Sequence, residues 1–196
     1  MLKAKRQLWI LGIALFLTYI SMMVVYTMLP LYVKFLGGSK MDVGIAMGAG
    51  CIGYFIGAPF WGWISDKTGK RIIYILLGPC GFALMAVALI ASKTANQVCL
   101  SHLIGAFVAS AEHPVLMAYI GDVAPREVKG RWMGTMGGLS TLGMAIGAFI
   151  AGATMTKGYG VTCYLVLGMN MIAMCLIAVV IWRGEKVEAL SKEGKW

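Results

Sequence analysis

Six long apolar runs, at about 8–33, 43–64, 72–91, 98–121, 132–155 and 161–182, decide what this 196-residue chain can fold into. Each is near or above the ~20 residues that a helix needs to cross ~30 Å of hydrocarbon. Open strands are excluded, because lipid offers no partner to an unpaired backbone N–H or C=O. The expected fold is all-α: a polytopic integral membrane protein of six transmembrane helices. Its 60% hydrophobic content and mean hydropathy of +0.81 are too apolar for a water-soluble globule of this length.

The net charge of +9 does not point to nucleic acid, because the basic residues form no single patch. They alternate from link to link. Lys3, Lys5 and Arg6 precede the first run, and Lys67, Lys70 and Arg71 follow the second. Arg126, Lys129 and Arg131 follow the fourth, and Arg183, Lys186, Lys192 and Lys195 end the chain. That is thirteen on one side of a six-pass chain, against only Lys34, Lys40, Lys93 and Lys157 on the other. The positive-inside rule then makes both termini cytoplasmic, in a multi-pass protein of the cell membrane. Trp9, Trp61, Trp63, Trp132 and Trp182 fall at the same basic edge, as an interfacial belt does. Residues 1–182 read as the six-helix bundle and 183–196 as a charged cytoplasmic tail. The first run is longer than a signal-peptide core and lacks a convincing cleavage site, so it is expected to be retained.

Chemistry of other kinds finds little support. The five cysteines form no C-x-x-C, so neither a metal site nor a disulfide framework is expected, and no cofactor. H-E-x-x-H, G-x-S-x-G and phosphate-loop patterns are absent, which argues against an enzyme. Glycine is spaced for close helix packing instead. Gly44-x3-Gly48 and Gly53-x3-Gly57 lie in the second run, Gly134-x3-Gly138 and Gly143-x3-Gly147 in the fifth. The helices fall into two sets of three, a plan common in transporters.

One link concentrates ions: Gly62-Trp-Ile-Ser-Asp66-Lys67-Thr-Gly69-Lys70-Arg71. Gly69 suits a tight turn, and Lys70 and Arg71 anchor the next helix at the membrane surface. Asp66 is not needed for orientation and is expected to pair with Arg71 or Arg131, or with the N-terminus of a neighbouring helix. The pattern resembles the G-x3-D-[RK]-x-G-[RK]-[RK] signature of the major facilitator superfamily, at the same place between helices two and three. Asp122-x-x-Pro125-x3-Lys129-Gly130-Arg131-x-x-Gly134 is similar to that family's motif after helix four. Leu29-Pro30-Leu31-Tyr32 and the Gly38-Ser39…Val43-Gly44 turn agree with it.

The resemblance implies one six-helix half, similar to the N-terminal half, of a solute carrier working by alternating access. It implies Asp66 as a gate contact, Arg71, Asp122 and Arg131 as its ion-pair network, and Gly62 and Gly69 as close-packing turn residues. Lys70 reads on its own merits as a topology anchor. Against the drug–proton antiporter pattern, His102 stands where arginine is usual, and Ala148 replaces a proline.

Glu112 is the only acid deep inside an apolar run. An ionised carboxylate there costs several kcal/mol unless paired, hydrated or protonated. At 100° per residue, Ser101, Gly105, Glu112 and Tyr119 share a stripe, with His102, Ala106, Ala109 and His113 on the next. The resemblance makes helices one and four the cavity walls. Glu112, His113, His102, Tyr26 and Tyr19 are therefore the candidate substrate and proton site, with Thr27 and Tyr54 beside them. Asn170 reads as interhelical glue.

The resulting expectation is a secondary transporter of a small solute, proton-coupled, working as a homodimer or with a second six-helix half. The expected partners are that solute, protons and the lipid bilayer. The alternative is a truncated or excised half acting as a non-transporting interaction or structural protein.

Overall fold

The computed structural model describes residues 2–182, and the charged tail at 183–196 lies outside the described residues. Eight helices build six crossings: α1 (Leu2–Phe35), α2 (Lys40–Thr68), α3 (Arg71–Ile75), α4 (Leu77–Ala91), α5 (Ala95–Ala109), α6 (Glu112–Val123), α7 (Arg126–Met155) and α8 (Tyr159–Trp182). Helices α3 and α4 together make the third crossing, and α5 and α6 the fourth.

Local chemistry sets the boundaries. Ser39 and Asp42 form a reciprocal capping box at the start of α2, with Ser39 N donating to Asp42 Oδ2 at 2.7 Å. Gly69 ends α2 at φ +67°, where its N–H reaches the Ser65 carbonyl at 3.0 Å. The fourth crossing breaks at Ser110–Ala111. Pro114 has no N–H, and its ring crowds the carbonyl four residues earlier. The Ala111 N–H turns to the Val108 carbonyl, which releases the Phe107 carbonyl from the helix ladder. Trp61 Nε1 and Ser110 Oγ both donate to Phe107 O, each at 2.8 Å. Trp61, expected as an interfacial belt residue, is thus also a partly buried clamp between two helices. Trp61→Phe should keep the ring and lose the clamp, lowering stability by about 1 kcal/mol in a reversible unfolding measurement.

The glycine ladders reveal the internal repeat that residue identity conceals. Rungs Gly44, Gly48, Gly53 and Gly57 of α2 recur 90 residues later as Gly134, Gly138, Gly143 and Gly147 of α7. Their surroundings recur as well. Gly53 meets the backbone of Leu103 and Phe107 on α5, and Gly143 the backbone of Phe16 and Ile20 on α1. Gly57 approaches the Phe107 carbonyl and Gly147 the Ile20 carbonyl, where an added Cβ would lie 2.5 Å away in both cases. The first three crossings and the last three are therefore equivalent units, with α2 packed on α5 and α1 on α7. Only half of each ladder works this way. A Cβ at Gly44, Gly48, Gly134 or Gly138 would meet nothing within 4 Å.

Two apolar clusters fill the bundle. One gathers Val24, Met28, Met85, Leu89 and Val166, and the other Leu8, Leu11, Leu116, Ile120 and Ile177. Four crossings place small or polar buried residues near their middles: Thr18 and Ser21 on α1, Gly78 on α4, Glu112 on α6 and Asn170 on α8. A buried polar layer divides the core at mid-depth.

Candidate functional site

The ion cluster forms where α2 ends, α3 begins and α6 ends. Arg71 Nε donates to Asp122 Oδ2 at 2.8 Å, and Arg71 Nη1 donates both to Asp66 Oδ1 and, at 3.1 Å, to Ser65 Oγ. The tight turn at Gly69 brings Arg71 back over the last turn of α2. The Arg71 side chain is only 17% exposed, against 65% for Asp66 and 55% for Asp122. One guanidinium therefore binds two carboxylates whose outer oxygens still face outward. Pairs this exposed add about 0–1 kcal/mol to stability, so folding alone gives little reason for the cluster.

Three expectations need correction here. Arg131 is exposed and forms no ion pair among the described residues; its nearer link is a carbonyl accepting from Thr135 Oγ1 at 2.8 Å. Gly62 packs closely on nothing among the described residues, since a Cβ there would meet nothing within 4 Å. Gly69 also has open space around it and is required by its positive φ alone. Lys70 precedes α3 as an exposed residue without a side-chain cap bond. Ser65 was missing from the sequence reading, although it lies beside Asp66 in the motif. It is buried, and its hydroxyl donates to Gly62 O at 2.8 Å while accepting from Arg71.

A cavity of about 460 Å³ opens between α1, α2 and α7, lined by Tyr19, Met22, Tyr26, Tyr54, Phe55 and Met144. Cys51 also faces it. Tyr19 and Tyr54 pair through their hydroxyls, which ties α1 to α2 at its wall. The surface is aromatic and thioether-rich, soft and adaptable in shape.

Glu112 and His102 do not line that cavity. Glu112 is 2% exposed and faces Thr18 on α1 and Gly78 on α4, where any side chain at Gly78 would collide with the carboxyl. Thr18 uses its hydroxyl hydrogen on the Ala14 carbonyl at 3.0 Å, so it offers Glu112 an acceptor only. A carboxylic acid can donate to it; a carboxylate cannot. Glu112 Oε1 has no partner.

His102 is fully buried, with Nδ1 2.8 Å from the Ala46 carbonyl and its ring edge-on to Tyr26 at 5.2 Å between centroids. Nδ1 must carry the hydrogen there, which leaves Nε2 as a buried acceptor without a partner. Gly50 makes room for this ring, because a Cβ at that position would strike it. Gly50→Val should therefore destabilise the bundle by about 2 kcal/mol, and adding His102→Ala should recover most of the loss in a double-mutant cycle. His113 is half-buried, its ring 6.1 Å from that of Tyr19.

The expected polar stripe runs along one side of the fourth crossing, but it faces the neighbouring helices of the bundle and not the cavity. Gly105 packs on Met85 and Gly81, Glu112 on Gly78, and the Tyr119 hydroxyl donates to Gln7 Oε1 at 3.1 Å, all toward the bundle interior. Asn170 is corrected too. Its Nδ2 bonds the Val166 carbonyl of its own helix at 2.8 Å, and Oδ1 has no partner.

Comparison with known proteins agrees with this architecture. The sequence profile of the Major Facilitator Superfamily matches residues 11–195. Quinolone resistance protein NorA of Staphylococcus aureus strain MRSA252 is 27% identical over 176 residues, covering 90% of this chain and 45% of NorA. Multidrug resistance protein MdtG of Citrobacter koseri is 26% identical over 198 residues, covering 96% of this chain and 47% of MdtG. The chain spans about half the length of the curated relatives it matches.

Proposed function

The chain belongs to the major facilitator superfamily, and from that premise we propose that it is one six-helix half of a proton-driven exporter of apolar aromatic compounds. The cavity between α1, α2 and α7 carries this reading. Its 460 Å³ fit a drug-sized molecule, and its tyrosine, phenylalanine and methionine walls suit flat aromatic ligands better than sugars or peptides. Two proteins similar to this chain are named for resistance to quinolones and to multiple drugs.

The other half faces the open rungs of α2 and α7, as a second copy of this chain or as a six-helix partner. The Asp66–Arg71–Asp122 cluster works as the cytoplasmic latch. Arg71 presents Asp66 at the surface with acceptor capacity left for a group on the facing half. Opening would break that contact and let the two bodies rock about the cavity.

Glu112 holds the coupling proton. A proton on it satisfies Thr18; its loss leaves a buried charge in a dry layer, which drives rearrangement of α1 and the third crossing around it. His113, its ring tilted against that of Tyr19, is the group through which that change reaches the cavity wall.

Proteoliposomes holding the chain, with an imposed proton gradient and ethidium as the aromatic probe, provide the test. Gradient-dependent ethidium movement above the protein-free background is expected, and Tyr26→Ala should weaken it by raising the half-saturating concentration. Absence of any flux with folded protein would reject the transporter reading in favour of a non-transporting half. Glu112→Gln separates coupling from binding: ethidium binding should persist, while accumulation against a gradient is lost. A Gln variant that still accumulates ethidium would remove Glu112 from the mechanism.

A further inference from the structure

At the membrane side opposite the Asp66–Arg71–Asp122 cluster, three helix ends meet: the end of α1, the end of α4 and the start of α8. A second cavity of about 400 Å³ lies between them, lined by Tyr32, Phe35, Leu89, Tyr159, Gly160 and Cys163. Its lining is mostly apolar, and its aromatic wall is built rather than incidental. The rings of Tyr32 and Tyr159 lie 5.1 Å apart, and those of Phe35 and Tyr159 5.0 Å apart. Tyr32 is fixed from behind, its hydroxyl donating to the Leu89 carbonyl at 3.0 Å and sharing the Ser92 carbonyl at 3.1 Å. Gly158 and Gly160 also line it, and a Cβ at either would meet nothing within 4 Å.

The rim has one charge sign. Lys34 directly precedes Phe35 in the last turn of α1, Lys93 follows Ser92 just beyond α4, and Lys157 precedes Gly158 just before α8. All three are exposed. On this side of the membrane the sequence has only four basic residues, and three adjoin the cavity. The only acid on this side, Asp42, is held in the α2 cap by Ser39.

We propose that this cavity is a binding site for an anionic phospholipid, with an acyl chain between Phe35, Leu89 and Tyr159 and the phosphate among Lys34, Lys93 and Lys157. The observations favour a lipid over a soluble anion because the cavity below the lysines is mostly apolar and lies between the ends of helices long and apolar enough to cross a membrane. They favour an anionic lipid over a zwitterionic one because no carboxylate at the rim is free to receive an ammonium group. Long lysine side chains reach from the helix ends to a headgroup while their methylenes cover apolar surface. Each such charge near an anionic surface contributes enough that three together give roughly tenfold preference after screening. The ligand would tie the first, third and sixth crossings together at their ends, away from the cavity with Tyr19 and Tyr26.

Purified protein in detergent, exposed to phosphatidylglycerol carrying a photoactivatable diazirine in its acyl chain, provides the test. Labelled peptides, read by mass spectrometry, should include those with Leu89–Ile90 and Tyr159–Cys163. The matching phosphatidylcholine probe should label them roughly tenfold less. The triple variant Lys34→Gln, Lys93→Gln, Lys157→Gln changes only exposed side chains and should abolish the preference. Gly160→Leu, which adds bulk to the cavity lining, should lower labelling by both probes. Equal labelling by the two lipids, labelling spread evenly over the other helices, or a preference that survives the triple variant would each overturn the proposal.

Discussion

Gly53→Leu and Gly147→Leu are expected to cause the largest stability losses in this chain. At both positions the glycine Cα lies against a neighbouring backbone, Leu103 and Phe107 for Gly53, Ile20 for Gly147. A side chain cannot be absorbed by a rotamer change there, because carbonyl oxygens of a regular helix do not swing away. The helices must separate along their length, and the loss should exceed the ~3 kcal/mol typical of overpacked cores. In membranes, close approach supplies dispersion contacts that no hydrophobic force replaces, so little remains to restore the pairing. Thermal unfolding in detergent should show loss of the cooperative transition. The same substitution at Gly48 or Gly138 meets open space and should leave the isolated bundle within about 0.5 kcal/mol of wild type. A uniform loss at all four positions would contradict the packing described.

The second large effect concerns Arg71. Arg71→Ala leaves Asp66 and Asp122 unpaired, yet both are more than half exposed to solvent, so unfolding should shift by less than about 1 kcal/mol. Transport, in contrast, should fall by roughly a hundredfold, because the latch loses the group that orients Asp66 for the opposite half. Arg71→Lys should recover little. Its single ammonium cannot hold Asp66, Asp122 and Ser65 from one planar fork. Ethidium flux in proteoliposomes and unfolding on the same preparations separate the two readouts. Equal losses in both would mean that the cluster is structural.

Much of this was legible in the sequence because the bilayer permits so few structures. Runs of twenty apolar residues have only one fold available, and a charged link in an apolar chain announces itself; hence the crossings and the Asp66–Arg71 pair, whereas Asp122 joined them only through the family resemblance. Pairings between helices were harder to read. Periodicity identified the ladders but not their partners, and only the 90-residue recurrence of their rungs, an arithmetic signal, hinted at the repeat. The stripe on the fourth crossing persists across the break at Ser110–Ala111, but periodicity gave no direction for it: it faces α4 and the interior, and not the cavity.

Arg131 was misread because a motif gives spacing and not direction, and its guanidinium starts from the first turns of α7 facing outward. Trp61 read only as a belt residue, since nothing local marks a tryptophan whose partner carbonyl lies 46 residues away. Gly78 and Thr18, the two residues that hold Glu112, carry no signal of their own beyond being small or polar in an apolar run.

The central claim is that the free faces of α2 and α7 are where a second six-helix body sits, completing the carrier. Single cysteines placed at Gly48 and Gly138, in a chain whose five native cysteines are replaced, test it in native membranes with a short bifunctional crosslinker. Leu84 and Ile172, exposed on α4 and α8, give the comparison positions. The account predicts crosslinked species from Gly48 and Gly138 and none from Leu84 or Ile172. Crosslinks from Leu84 and Ile172 with none from Gly48 and Gly138 would contradict it.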